Sequence, residues 1–181
     1  MSFLDLTDSS SLISPKMPST LLDLRSQLLF YKKYHHEQVN VAIHSVFVPT
    51  ILFSSASMLH RVVLYKDYTL TSLLTTCYAS FYLLLNLPVG LLATGLLILM
   101  NVAIDSHWVP LTFNQELILF TIGWVCQFIG HGVFEKRRPA LLDNLVQSLV
   151  LAPYFILFEL LFRLGFMPGL KQQLEADVRD S

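Results

Sequence analysis

Two short stretches of this 181-residue chain gather side chains able to bind a metal or move a proton. The first, YHHEQVNVAIH, sets His36, Asn40 and His44 at intervals of four. On an unbroken helix His36 and His44 stand about 12 Å apart along the axis, too far for one ion held by bonds of roughly 2.1 Å. Both reach one metal only if His36 lies in a loop that folds back toward His44. Asn40 would then cap the following helix through its side-chain acceptor. The second stretch, WVCQFIGHGVFEKRRPA, puts Gln127, His131 and Glu135 on one helical face. An imidazole and a carboxylate one turn apart can both bind a metal, or the carboxylate can orient the imidazole from behind. Gly130 and Gly132 flank the histidine and would admit another helix backbone at close range. Lys136, Arg137 and Arg138 follow, placing positive charge where an anionic headgroup or a fatty-acid carboxylate would lie. The same basic run also reads as an ordinary cytosolic anchor.

The elements that must position these groups are apolar. Hydrophobic residues make up 54% of the chain and charged residues 14%, a composition that points to a membrane protein. A formal net charge of −1 excludes nucleic acid as the obvious partner, since phosphate recognition needs a concentrated basic excess. At about 20 residues per crossing, one domain with five or six spans is the upper limit. Residues 21–34 carry Leu21, Leu24, Leu28 and Tyr31 at three- and four-residue spacing, which predicts an amphipathic helix with Arg25, Lys32 and Lys33 against headgroups. Apolar runs follow near 41–59, 69–86, 88–104, 116–134 and 145–165, separated by charged or Pro/Gly punctuation. The expected fold is therefore an all-α, polytopic membrane helix bundle with four to five apolar segments. It divides into a flexible tail at 1–20, one membrane-embedded domain at 21–168 and a polar C-terminal tail at 169–181.

Successive crossings alternate sides, so His36, His44 and His131 share one membrane face (side A) and His60 and His107 the other (side B). Lys32, Lys33, Lys136, Arg137 and Arg138 make side A the cytosolic face, against Arg61 and Lys66 on side B. Segment 145–165 contains Pro153, Glu159 and Arg163; it either spans or dips in and returns, and its two charges can pair at i,i+4. His35 points away from His36 in any regular structure and is expected in solvent. His60 and His107 read as interfacial, Glu116 as a residue favoured by a helix N-terminus, and Cys77 and Cys126 as small core residues. No Gly-rich phosphate loop, G-x-S-x-G elbow or HExxH sequence is present. Three function classes fit these features: a non-haem metal enzyme, a His-ligated haem protein, and a membrane scaffold whose histidines only hydrogen bond.

Across residues 21–168 the sequence resembles the fungal 2-hydroxy fatty acid dioxygenases of the endoplasmic reticulum. The resemblance is carried by LLDLRSQLLFYKKYHHEQVNVAIHSVFVPTILFS and LFTIGWVCQFIGHGVFEKRRPALLDNLVQSLVLAPYF. The family's H-x3-N-x3-H pattern falls on His36, Asn40 and His44, and its QF-x-GH pattern on Gln127 and His131, with Glu135 and Pro139 following. What the resemblance implies is an Fe(II) enzyme that uses dioxygen to remove one carbon from a long-chain 2-hydroxy fatty acid in phytosphingosine degradation, without 2-oxoglutarate. It would be a multi-pass protein of the endoplasmic reticulum membrane with its site facing the cytosol. His36, His44 and His131 would hold the iron, Glu135 would join the catalytic set, and Asn40, Gln127, Arg137 and Arg138 would meet the substrate.

Overall fold

The computed structural model describes residues 21–139 and 145–179; the expected tail at 1–20 lies outside them. Seven helices and one short hairpin make up the described chain. The first, α1 (Leu24–Tyr34), starts where the Asp23 side chain accepts the Arg25 and Ser26 backbone N–H groups, a typical N-cap. Of the apolar stripe read from spacing, Leu28 and Tyr31 are buried and Leu24 is half-buried, Leu21 is exposed, and Tyr34 extends the buried face. After a three-residue link, α2 (Gln38–His60) is long and apolar enough to cross a membrane, as are α4 (Leu87–Asp105) and α5 (Phe113–Ile129) with its wider π-helical continuation, Gly130–Glu135. The 16-residue α3 (Leu70–Leu85) is shorter.

On side B, α2 leads into a two-stranded hairpin, β1 (Val63–Tyr65) and β2 (Tyr68–Thr69). Asn86 both ends α3 and caps α4, its side chain accepting the Val89 N–H at 3.1 Å. The reversal is tight because Gly90 has no Cβ: one would strike the Tyr82 carbonyl and the Leu83 backbone. α2 and α5 pair along their length, locked on side B by Glu116. Its buried carboxylate accepts from Ser57 Oγ (2.6 Å) and Arg61 Nη2 (2.7 Å), so it does more than favour the start of α5. His60 stays on this side with its ring 3.6 Å from Asp105, and His107 is exposed there.

The fifth apolar segment, α6 (Leu145–Arg163), runs alongside the second half of α3 toward side A. It starts at the depth of Tyr78, whose hydroxyl donates to the Leu149 carbonyl at 3.5 Å. Pro153 lacks the N–H that would otherwise take that carbonyl, so the aromatic hydroxyl replaces a lost helical bond. One turn on, Tyr82 Oη donates to the Val150 carbonyl at 2.5 Å, and Tyr154 Oη reaches the Tyr82 and Asn86 carbonyls at 3.2 Å each. The Tyr82 and Tyr154 rings stack at 4.4 Å, and Phe158 is fully buried beside them. The helix emerges on side A, where Glu159 pairs with Lys32 of α1 at 2.5 Å rather than with Arg163. The chain then bends by 112° into α7 (Pro168–Arg179). Where the sequence predicts only a polar tail, α7 lies along α1 with Leu174 fully buried and Asp177 gripping Arg25 at 2.8 and 3.0 Å. Leu174, four residues before Val178, gives this amphipathic turn the apolar side that a charge count hides.

A re-entrant path for α6 predicts sidedness. In protein with Cys77 and Cys126 replaced by Ala, Arg138→Cys and Phe166→Cys should react with a membrane-impermeant maleimide from one side of sealed vesicles. Asp67→Cys, in the exposed hairpin turn, should react only from the other. Labelling of Phe166→Cys together with Asp67→Cys would mean that α6 spans.

Candidate metal centre

Three elements converge on side A. His35 is the residue at which α1 ends, His44 lies two turns inside α2, and His131 sits in the π-helical turn after α5. All three side chains are buried, and their candidate ligand atoms lie within 4.8 Å of one another. The rings meet edge to face, with centroids 4.5 to 4.9 Å apart. That is closer than two axial imidazoles can stand on opposite faces of a haem.

The second ring nitrogens of His35 and His44 are held. His35 Nδ1 donates to the Tyr31 carbonyl at 3.0 Å and His44 Nδ1 to the Asn40 carbonyl at 2.9 Å. Each bond fixes the tautomer and leaves the Nε2 lone pair free. His35 Nε2 and His131 Nδ1 are buried with no protein partner, an arrangement whose cost of roughly 1–3 kcal/mol per orphaned group a bound cation would relieve. Burial, then the neighbouring His44 and His131 rings, hold the His35 imidazole well below its usual range despite the Tyr31 carbonyl, so it stays a neutral donor. Neutral imidazoles with preset tautomers suit Fe(II) or another first-row divalent metal. The donor set therefore fits a resident metal.

The site differs from the spacing-based reading in one residue. His36, expected to fold inward, is exposed, and His35, expected in solvent, is in the cluster. The reason is where α2 begins. Its N-cap is Glu37, so Asn40 is a helical residue rather than a cap, and the link from α1 is too short to turn His36 around. His35 instead continues the buried face of α1, with its ring stacked on Tyr31 at 3.9 Å. Extending the Leu24, Leu28, Tyr31 stripe by four residues lands on it, and that was the available signal.

Glu135 lies outside the histidine group. Its carboxylate accepts the backbone N–H groups of His36 (2.9 Å) and Glu37 (3.1 Å) and the Asn40 amide (3.0 Å), filling the anion-favouring start of α2. Asn40 is fully buried against Gly130, where any Cβ would collide with its side chain; Gly132 faces open space. Gln127, one turn before His131, is buried with its amide nitrogen unpartnered and faces the cavity described next. Arg137 and Arg138 do not reach it. Arg137 donates to the Lys33 carbonyl and lies over the Tyr34 ring, and Arg138 is exposed.

From the three histidines a cavity of about 360 Å³ runs between α2, α3, α5 and α6, past Val48, Leu52 and Trp124 as far as Leu59. Its wall is almost wholly apolar and, among the described residues, includes no Lys, Arg, Asp or Glu. A helical membrane protein with a three-imidazole cluster able to hold a metal ion, at one end of a long apolar cavity, is the class that fold and site define. Within that class the chain belongs to the Mpo1-like family, whose description is 2-hydroxy-palmitic acid dioxygenase Mpo1-like and whose model matches residues 21–164. It is 67% identical over 162 residues to the 2-hydroxy-palmitic acid dioxygenase MPO1 of Saccharomyces cerevisiae, an alignment covering 90% of this chain and 93% of that protein. No solved structure matches it.

Metal content separates the two adjacent histidines. His35→Ala, His44→Ala and His131→Ala should each lower the metal retained through purification at least tenfold by elemental analysis, while His36→Ala keeps it. Equal loss in His36→Ala would return that residue to the ligand set. Gly130→Val should cost about 1–3 kcal/mol by overpacking against Asn40, read as a lowered unfolding temperature in detergent.

Proposed function

We propose that this chain converts a long-chain 2-hydroxy fatty acid and dioxygen into the fatty acid one carbon shorter, carbon dioxide and water. The observation that carries the reading is the junction of the three-histidine cluster with one end of a long apolar cavity. Family membership supports the choice of substrate head and oxidant. The stoichiometry balances with one dioxygen, because cleavage of the C1–C2 bond and oxidation of C2 supply all the electrons that dioxygen takes up. No external reductant or 2-oxo acid is required.

In this reading His35, His44 and His131 hold Fe(II), which when bound supplies the redox chemistry between dioxygen and substrate. Three protein nitrogens leave coordination positions open for small molecules. The Tyr31 and Asn40 carbonyls keep the His35 and His44 rings turned toward the centre. Gln127 offers its free amide N–H to the carboxylate or 2-hydroxyl of the head. Tyr31 and Phe155, packed at 4.7 Å, shield the cluster from water. Glu135 and Asn40 are positioning residues that tie the start of α2 to the turn bearing His131. Arg137 and Arg138 belong to the headgroup layer rather than to the bound acid.

The basic residues of side A support a cytosolic position for this end of the protein. Lys171, on α7, adds to the same side. We assign the protein to the endoplasmic reticulum membrane and to phytosphingosine breakdown, on the resemblance of both histidine-bearing stretches to the fungal enzymes.

Anaerobically purified protein given Fe(II), air and 2-hydroxypalmitic acid should yield the acid shorter by one carbon, detected by mass spectrometry and abolished by a chelator. Unchanged substrate with folded, iron-loaded protein would overturn the assignment. Gln127→Ala should lower kcat/KM by about 10- to 100-fold, the worth of a hydrogen bond to a charged group, without reducing bound metal.

A further inference from the structure

The far end of the cavity carries its own construction. Along α2 its wall runs from His44 to Leu59, a separation of about 22 Å at the helical rise. One bilayer leaflet is about 15 Å deep, so the cavity reaches past the midplane toward side B. A volume of about 360 Å³ drawn out over that length makes it a narrow tube rather than a broad chamber.

Thr71, Thr75 and Met100 line the cavity toward its side-B end. Two of these are braced. Thr71 is buried, its hydroxyl donating to the Ala56 carbonyl of α2 at 2.5 Å. The Thr75 hydroxyl accepts from the Asn101 amide of α4 at 2.5 Å. These bonds cross-link α3 to α2 and to α4 and leave neither hydroxyl free to swing aside. The third of these side chains, Met100, is flexible and unbranched, and it neighbours the cross-link at Asn101. Polar groups satisfied within the protein have no use for a ligand's polar end, so the surface they frame suits a terminal methyl.

We infer that this braced floor, with Met100 as its adjustable part, is a ruler that sets the longest acyl chain the site accepts. The inference rests on the reading of the cavity as the tail site of a 2-hydroxy fatty acid dioxygenase. Chains that fit place their head at the histidines. Longer chains meet the floor with the head still short of Gln127, and are excluded by that offset.

Two independent readouts test it. A 2-hydroxy acid carrying a photoreactive diazirine at its far end should, on irradiation of the intact protein in detergent, label peptides containing Thr71–Thr75 or Leu97–Asn101. Labelling confined to α1 or the side-A end of α5 would overturn the ruler whatever the activity. In turnover, Met100→Ala should raise kcat/KM for an acid two carbons longer than the best wild-type substrate about tenfold relative to that substrate, the scale of discrimination per methylene. Ser55→Phe, a plug about 16 Å from His44 along the same wall, should shift the preference the other way. Unchanged chain-length profiles in both variants would overturn the ruler while leaving the dioxygenase assignment intact. Far-end labelling at the floor in a protein that turns over no 2-hydroxy acid would do the reverse.

Discussion

The Glu135 carboxylate, set against the first N–H groups of α2, is the contact on which the site depends. Three backbone or amide donors converge on it, at 2.9 to 3.1 Å, in the place where a helix most favours negative charge. Hydrogen bonds to a charged group are worth about 1.5–3 kcal/mol each, and these join the turn that bears His131 to the link that bears His35. The Tyr31 and Asn40 carbonyls then fix the orientation of the His35 and His44 rings. Gly130 serves the same closure from the other direction, letting Asn40 lie flat against the turn.

Much of this was legible from residue types. The apolar runs and their breaks mark the spans, because a helix among lipid and apolar neighbours has little need of polar side chains. The i,i+4 arrangement of Gln127, His131 and Glu135 places chemistry at the end of α5. What spacing could not decide was the phase of a three-residue link. Whether His35 or His36 turns inward depends on the residue at which α2 starts, and that start is set by Glu37 and by a carboxylate almost a hundred residues away. Helix boundaries governed by distant partners carry no local signature.

Composition leaves α6 open to two readings, a span and a re-entrant segment, and its 112° bend into α7 fits a broken span or a re-entrant loop. Pro153 and two charges weaken it as a span, but hydropathy does not report the tyrosine hydroxyls that donate to its backbone carbonyls. Glu159 has its partner on α1, not one turn away, so a pairing rule confined to a single helix finds the wrong cation. The docking of α7 on α1 is likewise a tertiary fact: one buried leucine and one bidentate ion pair turn a polar segment into part of the fold.

The apolar wall of the cavity has a consequence for how a lipid is chosen. For a molecule arriving from water, burying a tail in such a wall would be strongly favourable. A molecule arriving from the bilayer leaves one hydrocarbon surrounding for another, and the hydrophobic gain vanishes. The tail then contributes almost nothing to residence, and the polar end must supply nearly all the differential affinity. If the acid binds as proposed, neighbouring lipids, far more abundant than any single acid, would be turned away not by weak binding along their chains but because their bulkier heads have no place beside three buried imidazoles.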